Sequence, residues 1–434
     1  MDKTTLAEYE KRARRMVVYC WFSYMILYIG KKTLKLCLPD MIATGVCTEA
    51  QGGVISSVFL ASYAAGQFIN GWLGDRIHPR TMMTGGLILS GAMNVFMGLC
   101  HSAGLMTLIW GLCGFFCSML WAPLIRAVST WTTERVAQAC AASLSATIPI
   151  GTLLCQAIAA AVLHWSDWRM VFIVCGSILF VSGVVLAILF AGLKDHMSVQ
   201  APAPLPEKKE ADGKAEDGLP RAPKTVPVTF LLCAGLLAAS FGILFNGMIK
   251  DGLDDWIPTM LTQRFIPDAS VVTAVTMILP LLNIAGVFAA KWAYARYHLS
   301  ELGLCALMFA VSAVSLGGVL LFVNGTAKGF LPAAAVTLLF ALSSAAMLGA
   351  NTMLLTFIPL HFSKVGRASL VTGGLDCLSY AAAAVTSLIT GRVSGAFGWS
   401  GVLVGFSAAA VLGAVVCLAG KGKMAEKYKE LDAA

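Results

Sequence analysis

Charge is what this sequence has least of. Asp, Glu, Lys and Arg make up 12% of its 434 residues, against about 25% in ordinary soluble domains. So few charges cannot cover a water-facing surface, which excludes a typical soluble enzyme. A phosphate-cradling loop of the form GxxxxGK[ST] is also missing, so ATP is not the expected source of energy. Histidines are sparse and scattered: His101, His164 and His298 sit at the ends of apolar stretches, and His361 lies in a loop. The thirteen cysteines show no zinc or iron–sulfur spacing. Most of them, such as Cys20, Cys113, Cys155 and Cys417, lie inside apolar runs, where they behave as small apolar residues. Cys47 and Cys100 fall near outer connections, and a disulfide between them stays open. No metal or cofactor is expected, and no nucleophile–base pair can be assembled for an enzyme.

What fills the chain instead is apolar surface, 58% of residues, with a mean hydropathy of +0.78. A hydrocarbon core of about 30 Å needs about 20 apolar residues per helical span. Twelve stretches qualify: 16–38, 53–74, 81–100, 104–128, 138–163, 169–193, 227–250 (running on towards 262), 270–295, 300–323, 330–358, 366–390 and 398–420. One long polar insert, 194–226, rich in Pro, Ala, Lys and Glu, divides them six and six and reads as a tether. The expected organisation is a six-helix bundle over 1–193, a cytoplasmic linker over 194–226 and a second bundle over 227–434. The first stretch is too long for a signal core and no small-residue cleavage site follows it. Basic residues crowd the N-terminus, alternate connections and the C-terminus, which puts both termini and the linker in the cytoplasm. The net charge of +8 is thus a matter of topology, with a lipid bilayer and no nucleic acid as partner. A monomer is expected.

The exceptions to the apolar pattern point to function. Lys31 interrupts the first stretch of the front half, VVYCWFSYMILYIGKKTLKLCLPDM. Lys250 interrupts the first stretch of the back half, FGILFNGMIKDGLDDWIPTM. An ammonium group at the middle of a bilayer costs about 2.5–3.5 kcal/mol on insertion scales, and persists where it faces a cavity, a partner or an anion. Matching places in two halves predict a shared anion site on an internal symmetry axis.

Tyr24, Tyr28, Lys31 and Lys35 recur at i, i+4, i+7 and i+11, one helical face. Lys32 points about 100° away, towards a neighbouring helix. Lys35, near the outer end, is placed either to touch substrate or to snorkel towards the headgroups. In the back half Asn246, Lys250 and Asp254 share a face. Two readings stand there: Lys250 meets an anion, or it pairs with Asp254 one turn away. An anion that displaces the aspartate would unite them. Gly252 and Pro258 mark this stretch for bending. Asp376, deep in the eleventh stretch, is open to a structural or gating role, to proton carriage, or to pairing with a lysine.

Two sets of motifs carry a resemblance. GWLGDRIHPR, Gly71 to Arg80, follows the second stretch and resembles the cytoplasmic loop signature G-x-L-x-D-R-x-x-x-R of the major facilitator superfamily. The matching GVFAAKWAYARYHLS in the back half has Tyr294 or Ala295 where an acid is expected, so a second latch is degraded. YMILYIGKKTLKLCLP and KDGLDDWIPTML resemble the organophosphate:phosphate antiporter family, in which an Arg-Lys pair precedes a run ending in Pro, and an arginine precedes G-x-x-D-W-x-P-T. Lys31 and Lys32 take the pair here, Lys250 the arginine, and Gly252, Asp255, Trp256, Pro258 and Thr259 match. Further agreement comes from WAPLIRAVSTWTTER, TGGLDCLSY and FGWSG.

The resemblance implies an all-α membrane protein with the major facilitator fold, twelve transmembrane helices in two six-helix bundles. It also implies a secondary active transporter that exchanges a phosphate ester for inorganic phosphate by alternating access. Lys31 and Lys250 would neutralise the anion, with Tyr24, Tyr28, Tyr63 and Trp256 shaping the pocket. Gln67 stands where the glycerol-3-phosphate transporters have a lysine, and Thr147 where they have a histidine. Asp75, Arg76, Arg80, Glu134 and Arg135 would form a cytoplasmic latch, and Asp254, Asp255 and Asp376 would take part in gating or coupling. Both phosphate-facing arginines are lysines here, and an ammonium is a compact point charge rather than a planar fork, so substrate identity does not carry over. Proton-coupled transport of a carboxylate, and sensing of a phosphate ester without transport, remain the rival readings. The expected site of action is the cytoplasmic membrane of a bacterium.

Overall fold

In lipid a backbone must satisfy its own polar groups, so apolar spans fold as helices. The computed structural model describes residues 3–74, 77–132, 147–193, 234–362 and 368–433, and among them there is no strand. Ten helices among these residues are long and apolar enough to cross a bilayer. One of them, Val371–Glu430, is two crossings folded at Gly398, where φ of 67° and ψ of −178° break the helix at a conformation that favours glycine. The first segment, Lys3–Lys31 followed by Thr33–Ala43, stands outside that count and completes twelve spans. Its lysines interrupt the apolar run. Val181, Ile188, Val314, Leu321 and Leu331 face outward, as a surface against acyl chains requires. The expected latch residues Asp75, Arg76, Glu134 and Arg135, and the linker, lie outside the described residues.

Among the described residues the first and fourth span of each half carry a break, and so does span 8, which is divided into Ala269–Val275 and Ile278–Tyr297. Span 1 breaks at Lys32 (φ −105°, ψ 3°). Span 4 is divided into Ala103–Cys117 and Trp121–Trp131. Span 7 runs from Ala234–Gly247 through a π turn, Met248–Leu253, and a 3-10 turn, Asp254–Trp256, into Ile257–Arg264. Span 10 passes from Phe330–Thr352 through a π turn, Met353–Phe357, into Ile358–His361.

Proline explains four of these, the break of span 8 through Pro280, which stands four residues beyond Thr276 in the dividing turn. Its ring clashes with the carbonyl four residues back and removes a donor. Counting back four from Pro123, Pro258 and Pro359 gives Met119, Asp254 and Leu355, each inside an irregular turn. In span 1 a side chain takes over: the Thr33 hydroxyl donates to the Gly30 carbonyl at 2.9 Å and to Asn94 Oδ1 of span 3 at 2.8 Å.

The bundles close on each other at the end remote from the termini. Span 2 (Glu49–Gly74) and span 11 cross there at glycines. A Cβ added to Gly53 would stand 2.7 Å from the Ser387 carbonyl oxygen and 3.2 Å from Gly391 Cα. Gln263 Nε2 donates to Glu49 Oε1 at 3.0 Å, and Ser270 Oγ donates to the Ala160 carbonyl at 2.8 Å. Gln156 Nε2 reaches the Thr276 carbonyl at 3.3 Å. Each of these contacts joins the front half to the back half. The opposite end is tied within bundles: Tyr9 donates to the Trp131 carbonyl at 3.1 Å, and Tyr428 stacks on His361 at 3.8 Å.

The glycine crossing generates a test. Gly53→Val forces overpacking that costs about 1–3 kcal/mol, and the closed far end bears that cost. Spin labels at Thr44 and Ala396 are expected to show a longer second distance in the variant. An unchanged distance distribution would contradict the closure.

Candidate functional site

Span 1 presents its tyrosines and lysines to the centre of the molecule. Tyr24 and Tyr28 meet edge to face at 5.5 Å, and Tyr24 rests on Trp121 of span 4 at 5.0 Å. Lys31 is buried, with its Nζ 3.7 Å from the ring centre of Tyr63, 5.3 Å from Tyr28 and 5.7 Å from Tyr380. Tyr63 comes from span 2 and Tyr380 from span 11, and their rings lie 5.1 Å apart. Aromatic faces attract an ammonium by about 0.5–2 kcal/mol, which falls short of the insertion cost of the charge. Among the described residues no carboxylate lies within ion-pair distance of Lys31. Its charge is incompletely compensated by the groups described around it.

Lys250 reaches the same place from the other bundle. Its Nζ lies 5.8 Å from the Tyr380 ring centre and binds the neighbouring Asp251 carboxylate. The π turn sets this geometry, because a wider turn rotates residues 248–253 relative to a regular helix. The expected partner, Asp254, faces elsewhere. Lys35 Nζ stands 2.6 Å from Asp254 Oδ2, and Lys32 Nζ stands 3.6 Å from the same oxygen and 3.9 Å from Asp255 Oδ1. Two lysines of span 1 thus grip two aspartates of span 7 across the bundle boundary. The local Lys250–Asp254 pair that helical spacing suggested is not formed, and Lys35 does not snorkel.

The other expected site residues divide. Gln67 is half-buried beside Tyr63. Asn246 is fully buried and donates to the Met347 carbonyl at 2.7 Å, which ties span 7 to span 10. Trp256 is fully buried too, donating to Ser387 Oγ at 3.3 Å and packing on Trp399 at 6.0 Å. Its place is the packing of spans 7, 11 and 12 rather than the lysine cluster. Thr147 is buried at the first described residue of span 5. Arg80 begins span 3, its backbone N–H donating to His78 Nδ1 at 3.3 Å. Asp376 is half-buried on span 11, one turn from Tyr380.

Sequence reading missed Asp251 and Tyr380. Adjacency to Lys250 was the available signal for the first, and the i, i+4 relation to Asp376 for the second.

The ion cluster between the bundles makes a prediction. Removing one partner of a buried pair costs about 3–5 kcal/mol, because the remaining charge is stranded. Asp254→Asn is therefore expected to lower the thermal stability of the detergent-solubilised protein, and Asp254→Leu combined with Lys35→Met to restore much of it. A single variant as stable as the parent would contradict the pairing.

Comparison with known proteins agrees with this architecture. The chain is 25% identical to a probable hexose phosphate transport protein of Chlamydia trachomatis serovar D over 435 aligned positions, covering 96% of this chain and 93% of that one. It is 23% identical to the membrane sensor protein UhpC of Escherichia coli K12, covering 95% and 93%. A solved structure, a bacterial homologue of the human lysosomal transporter Spinster in an inward-facing and unoccupied conformation, superposes with a TM-score of 0.72 at 15% identity, covering 96% of this chain and 97% of that one. The profile of the Major Facilitator Superfamily matches residues 20–384. Twelve spans in two bundles, with breaks at corresponding places, therefore have a family: this chain belongs to the Major Facilitator Superfamily of membrane transporters.

Proposed function

We propose that the protein is a secondary active carrier of a small organic anion, a phosphate ester exchanged for inorganic phosphate. One observation carries this reading: Lys31 and Lys250, from opposite bundles, stand 5.7 and 5.8 Å from the same tyrosine ring. The similarity to a probable hexose phosphate transport protein of Chlamydia trachomatis supports a phosphate ester as the anion. The carrier acts in the cytoplasmic membrane of a bacterium with both termini in the cytoplasm, and residues 194–226 tether bundles spanning 1–193 and 227–434.

In this reading the described conformation opens towards the termini. A phosphate group entering from that side satisfies Lys31 first, since Lys31 has aromatic faces but no acid. It then competes with Asp251 for Lys250. Drawing Lys250 inward moves the π turn of span 7, and the same turn leads into Asp254 and Asp255, which hold Lys32 and Lys35. Binding at the centre is thereby linked to the ion pairs that keep the far end shut. That is the coupling alternating access requires. Arg80, with the expected latch at 75, 76, 134 and 135, would close the opposite end in turn.

A second reading, a receptor that binds a phosphate ester without carrying it, has the relation to UhpC in its favour. Counterflow separates the two. Liposomes loaded with inorganic phosphate are expected to take up labelled glucose 6-phosphate or glycerol 3-phosphate through the parent protein. Lys31→Ala and Lys250→Ala should each reduce uptake by at least about tenfold, the scale of a lost contact to a charged group. Binding without flux would establish the receptor. Uptake that follows a pH gradient and ignores internal phosphate would establish proton coupling instead, and full activity in either alanine variant would refute the site.

A further inference from the structure

The formal charges of the described side chains at the centre of the molecule balance before anything binds. Among the described side chains they are Lys31, Lys32, Lys35 and Lys250 against Asp251, Asp254, Asp255 and Asp376. Three of the aspartates are engaged: Asp251 with Lys250, Asp254 with Lys35 and Lys32, Asp255 with Lys32. Two groups are left over. Among the described residues Lys31 has no acid within ion-pair distance, and Asp376 has no cation within it. A phosphate ester that satisfies Lys31 leaves Asp376 uncompensated and gives the loaded site a net negative charge. Such a charge in a low-dielectric surrounding is costly.

The surroundings of Asp376 suit one kind of ligand group. Asp376 is half-buried on span 11, the helix that brings Tyr380 to the two lysines. Tyr380 is one turn away on the same helix face, with its ring 5.1 Å from that of Tyr63. These rings already hold ammonium groups, those of Lys31 and Lys250. A carboxylate one turn from a pair of rings that already face ammonium groups is a site for an organic cation. An anion that draws Lys31 and Lys250 to itself frees those faces.

We propose that Asp376, with Tyr63 and Tyr380, receives an ammonium group on the cargo, so that the preferred substrate is a zwitterion, a phosphate ester that also carries an amine. The inference rests on the phosphate-ester reading above and narrows it. Inorganic phosphate meets only the lysine half of the site and binds more weakly. Asp376 thus discriminates among esters that the lysines alone would treat alike.

Matched pairs of esters test this in phosphate-loaded liposomes: 2-aminoethyl phosphate and phosphocholine against propyl phosphate, and glucosamine 6-phosphate against glucose 6-phosphate. The amine-bearing member of at least one pair is expected to compete at a concentration lower by at least about tenfold, the scale of a desolvated charge contact. Phosphocholine has no ammonium proton to lose, so a preference for it excludes proton delivery as the cause. The readout for variants is the ratio within a pair, which a general loss of activity does not change. Asp376→Asn should collapse that ratio and Asp376→Glu should keep it.

Parent protein that transports both members of every pair equally would overturn the inference while leaving the phosphate-ester reading intact. So would a preference that survives in Asp376→Asn, or amine-free esters driven by a pH gradient with no amine preference. Uptake of no phosphate ester of either kind would remove both.

Discussion

The structure depends on the cost of holding ammonium groups where water is scarce. Four lysines lie at or near the middle of a membrane-spanning chain, and they are compensated in three ways. Lys35 and Lys32 use aspartates of the other bundle, Lys250 uses an aspartate beside it in sequence, and Lys31 uses the faces of tyrosines. The ranking follows from magnitude. A carboxylate at 2.6 Å in a desolvated setting outweighs an aromatic face worth about 0.5–2 kcal/mol. In the proposed reading Lys31 is therefore the point at which an incoming anion gains most, and the strongly paired lysines join the bundles.

That division of labour places binding and closure on the same two helices. Span 1 carries Lys31 below its break and Lys32 and Lys35 at and beyond it. Span 7 carries Lys250 in its π turn and Asp254 and Asp255 in the next turn. A regular helix resists bending, because its hydrogen bonds hold it straight. An irregular turn has fewer of them to break. Breaks at the first and fourth span of each half put compliance where the bundles must tilt, and glycine crossings such as Gly53 on Gly391 put rigid contact where they must seal.

Much of this was legible before any coordinates. Span number and the two halves follow from hydropathy, since a bilayer imposes a length that few soluble folds imitate. Lys31 and Lys250 stood out because a charge in an apolar run has no bland surface to occupy. Partners were harder. The pairing of Lys250 with Asp254 assumed 3.6 residues per turn, and the π turn invalidates that spacing and brings Asp251 round instead. Lys35 was judged by its distance from the end of the span, but its partner belongs to another helix more than two hundred residues away in sequence. Trp256 matched a motif, and the side chain packs on Trp399 rather than facing the lysines. Such contacts arise from tertiary assembly, and local periodicity carries no trace of them. The reading of Asp75, Arg76, Glu134 and Arg135 as a latch rests on sequence motifs.

The central claim is that cations from opposite bundles meet at one ligand. Thiol cross-linking tests it most directly: Lys31→Cys and Lys250→Cys are combined in a background lacking other reactive cysteines and treated with a short bifunctional reagent. The account predicts an efficient cross-link within one molecule and, with only one of the two lysines replaced, protection of the single thiol by a phosphate ester. No cross-link, or labelling indifferent to the ester, would contradict it.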